Sequence, residues 1–211
     1  MGRSKRRSDA PGWTDWGVRR PLAALETASD TGTMRAFRPR IPPTAALRSV
    51  VMEPIQGEAG AIVPPDDFWP RLREMTRRRG VLLIADEVQT GLGRTGALWG
   101  VDHWGVVPDI LAVAKALGGG VMPVGAFSST PEIWRVMMRP NPFIHTTTTG
   151  GGALACSAAI AAIRVTLRDR LWEQAAAKGE YLLPRLKDLA GRHPNIFDPS
   201  LSTSSVRVIG L

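Results

Sequence analysis

From residue 50 onward the chain alternates between short, unbroken apolar runs and longer stretches whose apolar residues recur at helical spacing. Runs at 50–55, 81–85, 110–114 and 124–128 have the length of strands, and the middle two are aliphatic throughout, as in strands covered on both faces. Between the first two, Pro65 and Asp66 open a helix that runs through Arg79, with Phe68, Leu72 and Met75 on one face and Gly80 as its stop. Further helices are predicted at 131–138, at an Ala-rich stretch 153–168, and at a long amphipathic stretch 171–190 interrupted at Pro184, where a kink is expected. Strands that alternate with helices in this way predict an α/β fold in three layers around a mostly parallel sheet.

Two of these runs deliver an ionisable residue at their ends. The run 81–85 leads into Asp86 and Glu87, and the run 110–114 leads into Lys115 followed, after Ala116 and Leu117, by Gly118, Gly119 and Gly120. In open α/β sheets the carboxyl ends of parallel strands open onto the ligand crevice, so both side chains are expected to face one pocket. A lysine and an acid flanked by glycines suit Schiff-base catalysis with pyridoxal phosphate. The lysine amine forms an imine with the cofactor aldehyde, and the carboxylate keeps the ring nitrogen protonated so that the ring acts as an electron sink. Gly118–Gly120 would leave room for a bulky ring, and the glycine-punctuated turn 91–96 would allow close approach by a ligand or another chain. Taken alone, such a pair is more often a structural Asp at a strand end and a solvated surface Lys. Trp99 and Trp104 read as packing residues, and His145 and Cys156 as structural ones.

Composition narrows the class. A chain of 211 residues with 44% hydrophobic content suits one globular domain, or one domain and part of another. The single cysteine, Cys156, excludes an internal disulfide, and no apolar stretch approaches the roughly 18 residues of a membrane-spanning helix. Both facts fit a reducing cytoplasm. No metal site is expected. The net charge of +8 is concentrated at the start: residues 1–50 hold ten Arg and Lys against four Asp and Glu, and the remainder seventeen against fifteen. That leader shows no zinc spacing, recognition-helix pattern or stacking platform, so nucleic-acid binding is not expected despite its charge. It also lacks the apolar core of a secretory signal. A short helix at 22–27 and a Pro- and Arg-rich linker at 35–43 are all that it suggests.

Several words now stand in order along the chain: EPIQGE at 53–58, DEVQTG at 86–91 with GRTG at 93–96, PDI at 108–110, AKALGGG at 114–120 and NPFIHTTT at 141–148. Together they resemble the class III pyridoxal-phosphate aminotransferases, and the last word is most similar to the putrescine and ornithine branch. The resemblance spans about residues 50 to 211. It implies the large domain of the fold type I pyridoxal-phosphate transferases at 50–190 and the beginning of a smaller C-terminal domain at 191–211, with 1–49 an unassigned basic leader. A chain that is part of a longer, truncated or frame-disturbed enzyme is the corresponding expectation.

The resemblance also implies a cast for the site. Asp86 would pair with the ring nitrogen of pyridoxal 5'-phosphate, Val88 would press on one ring face, Gln89 would bond near the ring hydroxyl, and Lys115 would carry the cofactor as its imine. Thr148 would reach the cofactor phosphate of the neighbouring subunit in a homodimer with shared active sites. Glu58 would lie at the substrate end and hold a gating arginine, and Glu53 would support the polar network around Gln89. Where the family reads an aromatic, two glycines, Asn and Pro after Thr148, this chain reads Thr149, Gly150, Gly151, Gly152 and Ala153, which removes a side-chain cap and a pre-set φ where the next helix starts. The hydroxyls and amides of 146–149 still suit an anion at that helix start. The implied activity is transfer of an amino group from a diamine or ω-amino donor, putrescine-like, to a 2-oxo acid such as 2-oxoglutarate. Lys115 would shuttle the proton, partly buried so that its amine is neutral. Rival readings are a decarboxylase, racemase or aminomutase of the same fold, and a catalytically silent remnant.

Overall fold

The structure, a computed structural model, describes residues 48–58, 60–139 and 145–193. Nearly all of the basic leader, residues 141–144 of the last motif and most of the stretch 191–211 expected to begin a C-terminal domain lie outside the described residues.

Four strands form one sheet in chain order: β1 (Ser49–Met52), β2 (Leu82–Asp86), β3 (Ile110–Val113) and β4 (Ala126–Ser129). The first three are parallel and β4 runs antiparallel to β3. Nothing in the apolar pattern of β4 separates it from the others; the link before it decides its direction. Residues between β3 and β4 form only a 3-10 turn, Lys115–Gly118, and glycine bends, and a parallel return needs a crossover, usually a full helix.

Helix α1 (Phe68–Arg78) crosses from β1 to β2. Phe68, Leu72 and Thr76 are buried at four-residue spacing, with Trp69 beside them, whereas Met75 is only half-buried. Trp69 is fully enclosed, and its Nε1–H donates to the Pro54 carbonyl at 3.2 Å, which fixes the helix against the chain leaving β1. Side chains of this size contribute about 1.5–3 kcal/mol each on burial. Gly80, at φ +61°, takes the left-handed turn that stops the helix.

The amino ends of β2 and β3 are clamped by Asp109. Its carboxylate accepts two parallel bonds from Arg73 of α1 (2.7 and 2.8 Å) and one from the Leu83 N–H (2.8 Å), and its own N–H donates to the Leu83 carbonyl (2.8 Å). Burial pushes this carboxyl upward, but the Arg73 and Leu83 bonds and the charges of Arg73 and Arg77 outweigh it, so its pKa lies below the ordinary value.

Between β2 and β3 lies a 3-10 helix, Gly100–Trp104, that the apolar pattern does not announce. Trp99 packs with Val113, Leu117 and Ala159, and Trp104 lies 6.3 Å from Trp69, so both tryptophans pack as expected. Beyond β4 come α2 (Pro131–Met138), capped by Thr130, α3 (Ala153–Arg168) and α4 (Leu171–Arg192). The last of these continues through Pro184 as one helix. The glycine turn after β2 passes close to this helix of the same chain: a Cβ on Gly93 would sit 3.2 Å from the Trp172 backbone, and one on Gly96 3.2 Å from Ala176.

Candidate active site

Asp86 ends β2 opposite Ala112 of β3, and the Glu87 N–H extends the ladder by one bond to the Ala112 carbonyl, 2.9 Å. Lys115 follows three residues later. Paired strands lie about 4.8 Å apart, so the acid and the lysine leave the sheet from neighbouring strands at the same edge, as read from the sequence. Asp86 is half-buried; its Oδ1 accepts from the Val88 N–H at 3.1 Å, and its Oδ2 has no partner among the described residues.

Lys115 sits at φ +45°, a left-handed conformation that costs a residue with a Cβ on the order of 1 kcal/mol. It is held there between β3 and the tight turn closed by Leu117 N–H to Ala114 O (3.0 Å) and Gly119 N–H to Ala116 O (3.0 Å), with Leu117 and Gly118 buried beneath. The lysine itself is exposed, and the partial burial expected of it is not found. The glycines that follow are also differently employed. A Cβ on Gly118 would press on Val124 at 3.3 Å and one on Gly119 on Ala162 of α3 at 3.1 Å, so these two make room for the protein's own packing; only Gly120 has nothing within 4 Å.

The 53–58 word folds against the 86–91 word. A bridge between Gln56 and Ile62 (3.1 and 3.0 Å) closes a small hairpin. Glu53 Oε2 accepts the Gly57 N–H at 2.9 Å, and Gln89 Nε2 donates to Glu58 Oε1 at 3.2 Å. The direct partner of Gln89 is therefore Glu58, and Glu53 joins the network through the Gly57 backbone. Thr148 lies exposed in the turn before α3, whose N-cap, Gly152, makes no side-chain cap bond, as the missing Asn implied. Among the described residues it touches none of the other candidates. His145 stacks edge-on against Phe127 at 5.4 Å, a packing contact.

Glu87 was given no part by the sequence. Its carboxylate is 1% exposed and accepts from Thr90 Oγ, the Gly100 N–H (2.8 Å) and the Val101 N–H (2.9 Å), tying the end of β2 to the start of the 3-10 helix. Burial drives its pKa up, and the bonds from Thr90, Val101 and Gly100 oppose this. One signal was available: two acids in succession at a strand end point to opposite faces, so one of them must meet the interior.

Fold and site together define an α/β protein whose parallel strands present an acid and a lysine at one edge, backed by a Glu–Gln pair. The family can be stated directly: residues 28–204 match the family described as Aminotransferase class-III, and the chain belongs to it. That match begins upstream of residue 50, where the resemblance was first legible. The putrescine aminotransferase of Pectobacterium atrosepticum is 52% identical over 150 residues, 71% of this chain and 32% of that protein. Among solved structures, the (S)-enantioselective omega-transaminase of Thermomicrobium roseum superposes with a TM-score of 0.66 at 39% identity, over 83% of this chain and 37% of that one. Plasmodium falciparum ornithine delta-aminotransferase does so with a TM-score of 0.62 at 39% identity, over 67% and 35%. The chain spans about a third of the length of these relatives.

Proposed function

We propose that the site binds pyridoxal 5'-phosphate on Lys115 and serves amino transfer from a putrescine-like diamine or ω-amino donor to a 2-oxo acid such as 2-oxoglutarate. The observation that carries this reading is the delivery of Asp86 and Lys115 to one edge of the sheet from adjacent parallel strands. The donor set fits the cofactor: a half-buried carboxylate with one oxygen unpartnered among the described residues, and an exposed amine on a rigid turn. The likeness to a putrescine aminotransferase supports the choice of donor.

When bound, the cofactor supplies an electron sink. The chain does the rest. Asp86, with Oδ1 fixed by the Val88 N–H, offers Oδ2 to hold a proton on the ring nitrogen. Gln89, whose Nε2 donates to Glu58, would hydrogen-bond near the ring hydroxyl. Val88 covers one ring face. Lys115 would hold the cofactor through its amine and would serve as the base and acid that takes and returns the proton at the substrate carbon. Thr148 contributes to a phosphate site across a homodimer, and the protein works in the cytoplasm; no helix among the described residues is long and apolar enough to cross a membrane.

Borohydride reduction of the chain with pyridoxal phosphate should fix a pyridoxyl group on Lys115, and Lys115→Ala should abolish the labelling while its melting temperature stays within about 5 °C. Labelling of Lys178 or Lys187 instead would sink the assignment.

A further inference from the structure

Where an added Cβ would meet a heavy atom closer than 3 Å, the described glycines fall into two kinds. Gly91 is closed off by the Glu87 carbonyl, Gly100 by Pro54 and Thr90, and Gly150 by Thr147, all fixed or locally packed neighbours. Gly57 differs. The three heavy atoms nearest its missing Cβ all belong to the terminal carboxamide of Gln89: Nε2 at 2.7 Å, Cδ at 2.5 Å and Oε1 nearer still. The glycine has left a socket, and a site residue thirty-two positions away fills it.

We propose that Gly57 is a positioning residue: its lack of a side chain seats the Gln89 carboxamide in the orientation that reaches Glu58. The backbone at Gly57 is tied on both sides, so it cannot yield to an added methyl group. Its N–H is held by Glu53 Oε2 at 2.9 Å, and its carbonyl accepts the N–H groups of Gly60 (3.1 Å) and Ala61 (3.2 Å) inside the hairpin closed by the Gln56–Ile62 bridge. The Gln89 side chain, half-buried and rotatable, is what moves. Its bond to Glu58, 3.2 Å, is then broken, and the carboxamide is lost from the cofactor side. Gly57 also lies outside the left-handed region, so alanine is compatible with its backbone. The substitution thus separates position from stability. This explains the EPIQGE and DEVQTG words as one device: Glu53 fixes the glycine, the glycine seats Gln89, and Glu58 holds it.

The seating can be read without cofactor. In the full chain, the side-chain amide resonances of Gln89, assigned by their disappearance in Gln89→Ala, should differ from those of a solvated glutamine. In Gly57→Ala and in Glu58→Ala they should move to the solvated position, with the Gly57→Ala melting temperature within about 3 °C of wild type. Gly57→Ser should behave in the same way. A wild-type Gln89 amide already at the solvated position, or one unmoved in Gly57→Ala, overturns the proposal; so does a collapse of the whole spectrum in both Gly57 variants, which would make the glycine a packing residue. The consequence for the cofactor rests on the function proposed above. Gly57→Ala and Gln89→Ala should each weaken pyridoxal phosphate binding about tenfold, the worth of one hydrogen bond, and the double variant no further. Additive losses would overturn the coupling. Failure of the wild-type chain to bind pyridoxal phosphate would count against the proposed function and leave the resonance test standing.

Discussion

Asp86 and Asp109 mark opposite ends of the β2–β3 pair, and the fold treats them in opposite ways. Asp109, at the amino end, is saturated: two bonds from Arg73, one from the Leu83 N–H, and a backbone bond returned to Leu83. Asp86, at the carboxyl end, receives a single backbone N–H and keeps one oxygen free of partners among the described residues. Beside it Lys115 carries a left-handed backbone that a lysine adopts only under constraint. The carboxylates that hold the sheet together accept several bonds each from the protein. At the carboxyl ends Asp86 is left short, and Lys115 is one of four non-glycine residues with a left-handed backbone among the described residues. Glu87 shows that the division follows the direction of the side chain rather than the neighbourhood. One residue from Asp86, it points inward and is as fully satisfied as Asp109.

This contrast can be broken by exchanging the acids one at a time. The largest effect is expected at Asp86. In the cofactor-loaded chain Asp86→Asn should cut transfer from putrescine to 2-oxoglutarate about 100-fold or more, while the urea midpoint stays near that of wild type. A near-normal rate would remove Asp86 from the mechanism. Asp109→Ala should do the reverse. Leaving the Arg73 guanidinium and the Leu83 N–H without their partner costs about 3 kcal/mol in urea unfolding, and borohydride labelling of Lys115 under native conditions should be retained. Loss of labelling in a variant that remains folded would show that the clamp also shapes the crevice.

The smallest effect, and the most discriminating, is the pH dependence of the half-buried Asp109 and the buried Glu87. The Asp109 pKa is lowered from 3.8, so its contribution is present above that value and is lost as pH falls through the folded pKa. The Glu87 pKa is raised from 4.5, so its contribution is full below that value and is lost as pH rises through the folded pKa. The stability advantage of wild type over Asp109→Asn should therefore shrink on acidification below pH 3.8. Its advantage over Glu87→Gln should instead shrink as pH rises above 4.5. Denaturation series at several pH values would show both slopes, and equal signs would contradict the opposed environments of the two carboxylates.

Much of this molecule was legible in the chain. The unbroken aliphatic runs at 81–85 and 110–114 hold β2 and β3, and the Ala-rich stretch 153–168 coincides with α3. The succession of motif words named the family because each holds residue types that the chemistry requires, in an order unrelated sequences do not reproduce. What stayed hidden depended on partners distant in sequence. The antiparallel direction of β4 followed from a link too irregular to carry the chain back.

The sequence by itself determined which residues are chemically able to act, Asp86, Lys115, Gln89 and Glu58, because identity and local pattern are properties of the chain. Only the tertiary structure decided how each is held. It turned Glu87 inward to three donors, gave Asp109 to Arg73, spent Gly118 and Gly119 on Val124 and Ala162, and laid Gln89 into the space that Gly57 leaves. The reason is physical. A hydrogen bond or a close contact needs both partners within a few tenths of an ångström, and residues thirty positions apart acquire that proximity only when strands pair and helices pack.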